Sequence, residues 1–224
     1  MIIRTTKVGL FIVILALIAF GVFYFRGNQS RQQAEIIQTI QKNVVATAAQ
    51  ANLLPIALPN LIEPVDGFKD RITKKPFGIY ITPETSPVQS DKFTGYHTGI
   101  DVEFTDISED IPVLAIADGT ILIRAYASGY GGVVVVRHHI NGVPTVVLYG
   151  HLDQASFLPA SITEVRAGEQ IGVLGDDHSE ETDGVRKHLH FSFHQYNGDE
   201  KIDFRGYVKN EIELSNWLNP LDLY

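Results

Sequence analysis

No cysteine occurs anywhere in the 224 residues. That excludes disulfides and every thiolate zinc site, though it leaves the redox compartment open, since a chain without thiols suits either. Positive charge is also in short supply, with 18 Lys and Arg against 26 Asp and Glu and a net charge of −8. Arg4, Lys7 and Arg26 are the only charged residues up to position 26, so the remainder holds 15 bases against 26 acids, or −11. Phosphate binding needs a net basic footprint, so nucleic acid is excluded as a partner. No internal repeat with a period of about 20 to 50 residues is visible, which excludes solenoids and propellers. What is present is a hydrophobic share of 45%, enough at this length for one folded domain with appended segments.

Val8 to Phe25 is uncharged, and about 18 helical residues rising 1.5 Å each would cross roughly 27 Å of hydrocarbon. A cleaved signal peptide is the competing reading. The run ends in Val22-Phe23-Tyr24-Phe25-Arg26 without a small-x-small cleavage signature, so an uncleaved anchor at 8–25 is expected. Arg4 and Lys7 favour a cytoplasmic tail at 1–7, a bias that Arg26 and Arg31 weaken. The chain beyond the anchor is then extracytoplasmic, in a single-pass protein of the cell membrane. Ile36, Ile37, Ile40, Val44 and Ala48 recur at helical spacing, so the 26–60 stalk is expected to carry a short amphipathic helix. That helix packs on the domain or self-associates, or the stalk is simply solvated. Pro55, Pro59 and Pro64 interrupt it and lead into a folded domain at 61–224.

From Leu61 onward the pattern is one of short strands with turn signals, which predicts an antiparallel all-β domain. Ile100, Val102 and Phe104 alternate with Asp101, Glu103 and Thr105. Asp118-Gly119, between Val113–Ala117 and Thr120–Ile123, predicts one hairpin, and Asn141-Gly142, between Val133–Arg137 and Thr145–Tyr149, predicts another. A strand at Ile171 to Leu174 and no long helix are also expected.

The most informative stretch is His188-Leu189-His190-Phe191-Ser192-Phe193-His194. A period of two places Leu189, Phe191 and Phe193 on a core face and His188, His190, Ser192 and His194 on the other. Side chains two apart lie roughly 6.5 to 7 Å from each other. One imidazole can therefore bind a metal while its neighbour reaches a water on that metal. His97-Thr98-Gly99-Ile100-Asp101 offers a nitrogen and a carboxylate, and Tyr149-Gly150-His151-Leu152 a further imidazole. Two neutral imidazoles and one carboxylate are a normal catalytic zinc set, and they leave a site charge of about +1 that keeps the ion a good Lewis acid. In an ideal strand His97 and Asp101 would be roughly 13 Å apart. A shared ion therefore requires the chain to fold back at Thr98-Gly99, where glycine permits it.

His-Thr-Gly-Ile-Asp at 97–101, Tyr-Gly-His-Leu at 149–152 and His-Leu-His-Phe at 188–191, in that order, resemble the lysostaphin or LytM-type zinc endopeptidases. The likeness runs from about Phe77 to His194 and includes Ala117-Asp118-Gly119, Gly129-Tyr130-Gly131-Gly132 and Gly168-Glu169-Gln170-Ile171-Gly172. The resemblance implies a two-layer antiparallel β-fold of the barrel-sandwich type. It also implies one Zn2+ per chain held by His97, Asp101 and His190, and hydrolysis of peptide bonds in cell-wall peptidoglycan. His151 and His188 would flank the open coordination position as acid and base, with the choice between them open. The chain departs from the family where Asp176, Asp177, Glu180, Glu181 and Asp183 crowd the segment before the last motif, and at Ser192, where glutamate is frequent. Both departures bear on side-chain preference rather than on the ligands.

A second class of function is a catalytically silent LytM-like module that activates another wall hydrolase; such a module is expected to lack a ligand, and none is missing. A metal-dependent double-stranded β-barrel oxygenase would leave the 97–101 motif unexplained. His138 and His139 are read as a solvated strand edge and the acidic 176–183 segment as solvated; His194 shares the histidine face beyond His190, where a cleft-lining or outer-sphere place is the lesser of its readings. Tyr96, Tyr126 and Tyr149 are read as half-buried packing. Residues 195–224 are read as a packed extension without an assigned role.

Overall fold

A computed structural model describes residues 61–196, 198 and 202–224. The anchor expected at 8–25 and the helix expected at 34–50 lie outside the described residues. Among those described, no helix is long and apolar enough to cross a membrane.

Twelve strands form three antiparallel sheets among the described residues. They are β1 (Tyr80–Ile81), β2 (Gly95–His97), β3 (Gly99–Glu103), β4 (Pro112–Leu114), β5 (Gly119–Ala127) and β6 (Gly131–Ile140), followed by β7 (Val143–Leu152), β8 (Glu164–Val165), β9 (Gln170–Val173), β10 (His188–Gln195), β11 (Tyr207–Val208) and β12 (Trp217–Leu218). The large sheet runs β12-β10-β7-β6-β5-β8, with β3 also paired to β10; β1-β2-β11 and β4-β9 make the smaller two. A four-residue helix, α1 (Glu211–Leu214), starts from Asn210, whose side chain accepts from the Glu213 amide. The antiparallel all-β expectation holds, as does the expectation of no long helix.

Alternation explains the large sheet. Leu189, Phe191 and Phe193 of β10 are fully buried in one core with Val134 and Val136 of β6 and Val147 and Tyr149 of β7. Each such side chain contributes about 1.5 to 3 kcal/mol on leaving water. Val133 and Val135 belong to a second cluster on the opposite face, with Val146 and Leu148. The four-valine run of β6 is thus buried on both sides, as a central strand requires.

The Asn141-Gly142 hairpin is present. Ile140 pairs with Val143, and both turn residues have positive φ, 53° and 77°, the signature of a type I′ turn. Asp118-Gly119 is not a hairpin. β4 pairs with β9, whereas β5 pairs with β6 and β8, so the chain changes sheets there. A Cβ at Gly119 would come within 2.7 Å of His138 Nδ1 and of Val136 Cγ1, so glycine is required for close approach rather than for a turn.

Candidate metal centre

Strand register assembles most of the site. β10 runs antiparallel to β3, setting His190 opposite Asp101 and His188 opposite Glu103, on the face away from the main core. His97 arrives from another sheet, as the last residue of β2, and the chain bends at Thr98 before β3 begins. The bend demanded by a shared ion is therefore present. The role of Gly99 differs from expectation, because its φ is not in the left-handed region. It supplies room instead, since a Cβ there would sit 2.5 Å from the Phe191 carbonyl oxygen and 3.0 Å from His190 Nε2.

His97, Asp101 and His190 converge as a group fit to hold a metal ion. His97 Nε2 lies 3.1 Å from His190 Nδ1 and 3.2 Å from Asp101 Oδ1, and His190 Nδ1 lies 3.1 Å from the same oxygen. Three tetrahedral zinc ligands at ~2.0–2.1 Å are ~3.3–3.4 Å from one another, so the triangle is the right size for the ion. The protons point the same way. His97 Nδ1 faces the Pro76 carbonyl at 3.2 Å, and since a carbonyl only accepts, the neutral ring's proton is on Nδ1 and Nε2 offers a lone pair. A bare nitrogen and a carboxylate oxygen thus share one corner with at most one proton, on His190 Nδ1. A cation satisfies all three. Burial pushes the His190 ring towards its neutral form, whereas the Asp101 carboxyl, although burial opposes its ionisation, is held well below the usual range by the imidazoles around it, the His190 hydrogen bond among them.

His151 and His188 stand beside the triangle, their ring centroids 4.1 Å apart, and both line an open cleft of about 1490 Å3 with Asp101 and His190. Strict alternation from Tyr149 would send the His151 side chain into the core. A β-bulge prevents this: Gly132 pairs with Leu152 and Val133 with Gly150, leaving His151 unopposed with φ 65°. The left-handed backbone of a non-glycine residue costs about 1 to 3 kcal/mol. That expense, together with the glycines at 132 and 150, which leave room for the Leu152 carbonyl and the Tyr130 ring, aims the imidazole at the cleft. Burial lowers His151 to about 3, with His190 adding to the effect, and burial lowers His188 well below the usual histidine value. Both rings are neutral near pH 7. His188 Nδ1 donates to the Arg186 carbonyl at 2.7 Å, so its Nε2 carries the lone pair, 3.5 Å from Asp101 Oδ2.

Other expectations divide. His194 lines the cleft, with its ring against Trp217, and takes no part in the triangle. His138 is not a solvated edge: it is fully buried, whereas His139 is exposed. Tyr149 is fully buried and donates to His138 rather than being half-buried packing; Tyr126 is 45% exposed, and Tyr96 reaches Glu211. The acidic segment is not uniformly solvated, because Asp183 accepts from the Tyr126 hydroxyl and the Gly129 amide and pairs with Lys92.

Sequence reading missed three residues around the centre. Arg186 contacts Asp101 and Glu103. Tyr207, from the extension beyond residue 195, stacks on His97 at 5.1 Å and is hydrogen-bonded to Lys75, itself paired with Asp91. Tyr130 packs its ring edge-on to His190 at 5.1 Å and donates to the Phe204 carbonyl. For Arg186 the signal was available, since a period of two places it on the face of His188 and His190.

Parts of this chain are similar to known proteins. Residues 95–204 match peptidase family M23. A 79-residue stretch is 43% identical to the DD-carboxypeptidase/endopeptidase Mpg of Neisseria meningitidis serogroup B, covering 35% of this chain and 16% of that protein. A 68-residue stretch is 41% identical to the murein hydrolase activator EnvC of Escherichia coli, covering 30% of this chain and 15% of that protein. Among solved structures, LytU is 24% identical over 67% of this chain and 81% of its own, with a TM-score of 0.43.

Proposed function

The chain belongs to peptidase family M23 through residues 95–204, and on that premise we propose that it is a zinc endopeptidase hydrolysing peptide bonds in cell-wall peptidoglycan. His97, Asp101 and His190 hold one Zn2+, and His151 and His188 move the protons. The observation that carries this reading is the triangle of mutually 3.1–3.2 Å donor atoms with too few protons to satisfy it. Zinc held there supplies Lewis acidity that lowers the pKa of a water toward ~7 and polarises a carbonyl.

The chain's own groups do the rest. The Arg186 carbonyl fixes the His188 proton on Nδ1, so Nε2 is free to take a proton from the attacking water. His151, with a buried and unpartnered Nδ1, faces the same space and protonates the departing amine or stabilises the oxyanion. The cleft excludes water on the core side and admits an extended peptide on the other. The uncharged run at 8–25 tethers the domain to the membrane, with the domain on the outer side where the wall lies.

The similarity to EnvC, an activator by name, favours a second reading as a non-catalytic module. Turnover separates the two. The full-length chain, loaded with zinc and incubated with purified muropeptides, is expected to release fragments with new amino and carboxyl termini by mass analysis, and to stop on chelation. Absence of cleavage in the zinc-loaded chain would reject the enzyme in favour of the module.

A further inference from the structure

We propose that Arg186, backed by Glu103, is a positioning residue that reserves a single carboxylate oxygen of Asp101 for the bound cation. The inference rests on reading His97, Asp101 and His190 as the metal site.

The two oxygens of Asp101 have different neighbours. Oδ1 faces His97 Nε2 and His190 Nδ1. Oδ2 accepts from Arg186 Nη2 at 2.8 Å. The guanidinium is itself gripped by Glu103, with Nε donating to Oε2 at 2.8 Å and the same Nη2 to Oε1 at 2.6 Å. All three side chains are buried. A planar fork held along its Nε–Nη2 edge by both Glu103 oxygens cannot swing, so Nη2 stays on Asp101 Oδ2 and that oxygen is kept from the ion. The backbone carbonyl of Arg186 meanwhile fixes the proton of His188. One residue thereby orients a ligand through its side chain and a cleft imidazole through its main chain.

Stability alone does not account for the arrangement. A buried ion pair gains little over apolar packing once desolvation is counted, and a guanidinium beside a cation site repels the cation. Glu103 cancels that repulsion. Asp101, Glu103 and Arg186 together carry one net negative charge, with the partly exposed Lys74 ammonium also 3.4 Å from Glu103, so the fork stays in place without making the site cationic. The strands make this local: Asp101 and Glu103 are two apart on β3, His188 and His190 are two apart on β10, and Arg186 lies two residues before β10 begins.

The test strips the full-length chain of metal and titrates it with Co2+, reading visible absorption, and then with competing Zn2+. Four-coordinate Co2+ absorbs several times more strongly than five- or six-coordinate Co2+, so intensity reports how many oxygens Asp101 supplies. The wild-type chain is expected to bind one Co2+ with strong bands. Arg186→Gln is expected to lose intensity and to weaken Zn2+ binding by about 10- to 100-fold; Arg186→Lys, which keeps the charge without the fork, is expected to keep the weak spectrum. The double variant Arg186→Gln with Glu103→Gln leaves net charge unchanged and no Glu103 carboxylate unpaired, which keeps the test open where the single variant fails to fold. A purely electrostatic role predicts wild-type affinity and intensity for this pair, and that result would overturn the positioning role while leaving the metal site intact. A wild-type chain that binds no Co2+ would instead reject the metal reading itself.

Discussion

His138 and the histidines in and beside the triangle are buried alike, and they differ in what their ring nitrogens face. His138 Nδ1 meets the Asp118 carbonyl at 3.1 Å and Nε2 meets the Tyr149 hydroxyl at 3.2 Å, while that hydroxyl accepts from the Ile116 amide. The chain of donors and acceptors closes, with Ile116 giving to Tyr149, Tyr149 to His138 and His138 to Asp118. In the cleft it does not close. His97 Nε2, Asp101 Oδ1 and His190 Nδ1 face one another at 3.1–3.2 Å with at most one proton among them. Burial lowers the pKa in both places, so a perturbed histidine does not by itself mark a site. Leftover lone pairs aimed at one point do.

The largest break in that comparison comes from removing a corner of the triangle. Asp101→Ala is expected to lose zinc and to cut muropeptide turnover by at least about 10^3-fold, measured by metal content and initial rate. Next in size are His188→Ala and His151→Ala, each expected to retain zinc while the rate falls about 10^2- to 10^4-fold. Loss of metal in either variant would move that ring from proton transfer into the ligand set. His138→Ala reverses the pattern: it strands the Tyr149 hydroxyl and is expected to cost about 1 to 3 kcal/mol in a denaturant melt, with zinc content and turnover intact.

The smallest effect is in acid. His138 has its pKa lowered by burial, against the opposing Asp118 carbonyl, so below the unfolded value of ~6.5 the unfolded chain takes up the proton more readily than the folded one. The stability of the metal-free chain is therefore expected to be unaffected by this group above about pH 6.5 and to decline as pH falls below it. His138→Gln is expected to make that decline shallower in thermal melts taken between pH 7 and pH 5.

Much of this was legible from residue order. Alternation at 188–194 separated core from site; Asp101, His151, His188 and His190 are brought together by the pairing of β3, β7 and β10, and His97 joins them from the end of β2. The Asn141-Gly142 turn was readable because its geometry is local. What escaped was set by partners distant in sequence. Asp118-Gly119 reads as a turn, yet the glycine is there for His138, which packs against it from β6. His138 continues the Val134, Val136 alternation into the core, but its polarity masked this, and its partner Tyr149 lies on another strand. The bulge at His151 left only glycines as a trace. Tyr207 gave no signal at all, because its place over His97 depends on β11 pairing with β2.

Zinc content per chain, measured by atomic emission on the purified full-length protein, tests the contrast most directly when wild type, His190→Ala and His138→Ala are compared. One zinc per chain is expected in the wild type and in His138→Ala, and none in His190→Ala. Equal zinc in all three, or none in wild-type protein prepared with zinc supplied, would contradict the metal centre on which the proposed chemistry depends.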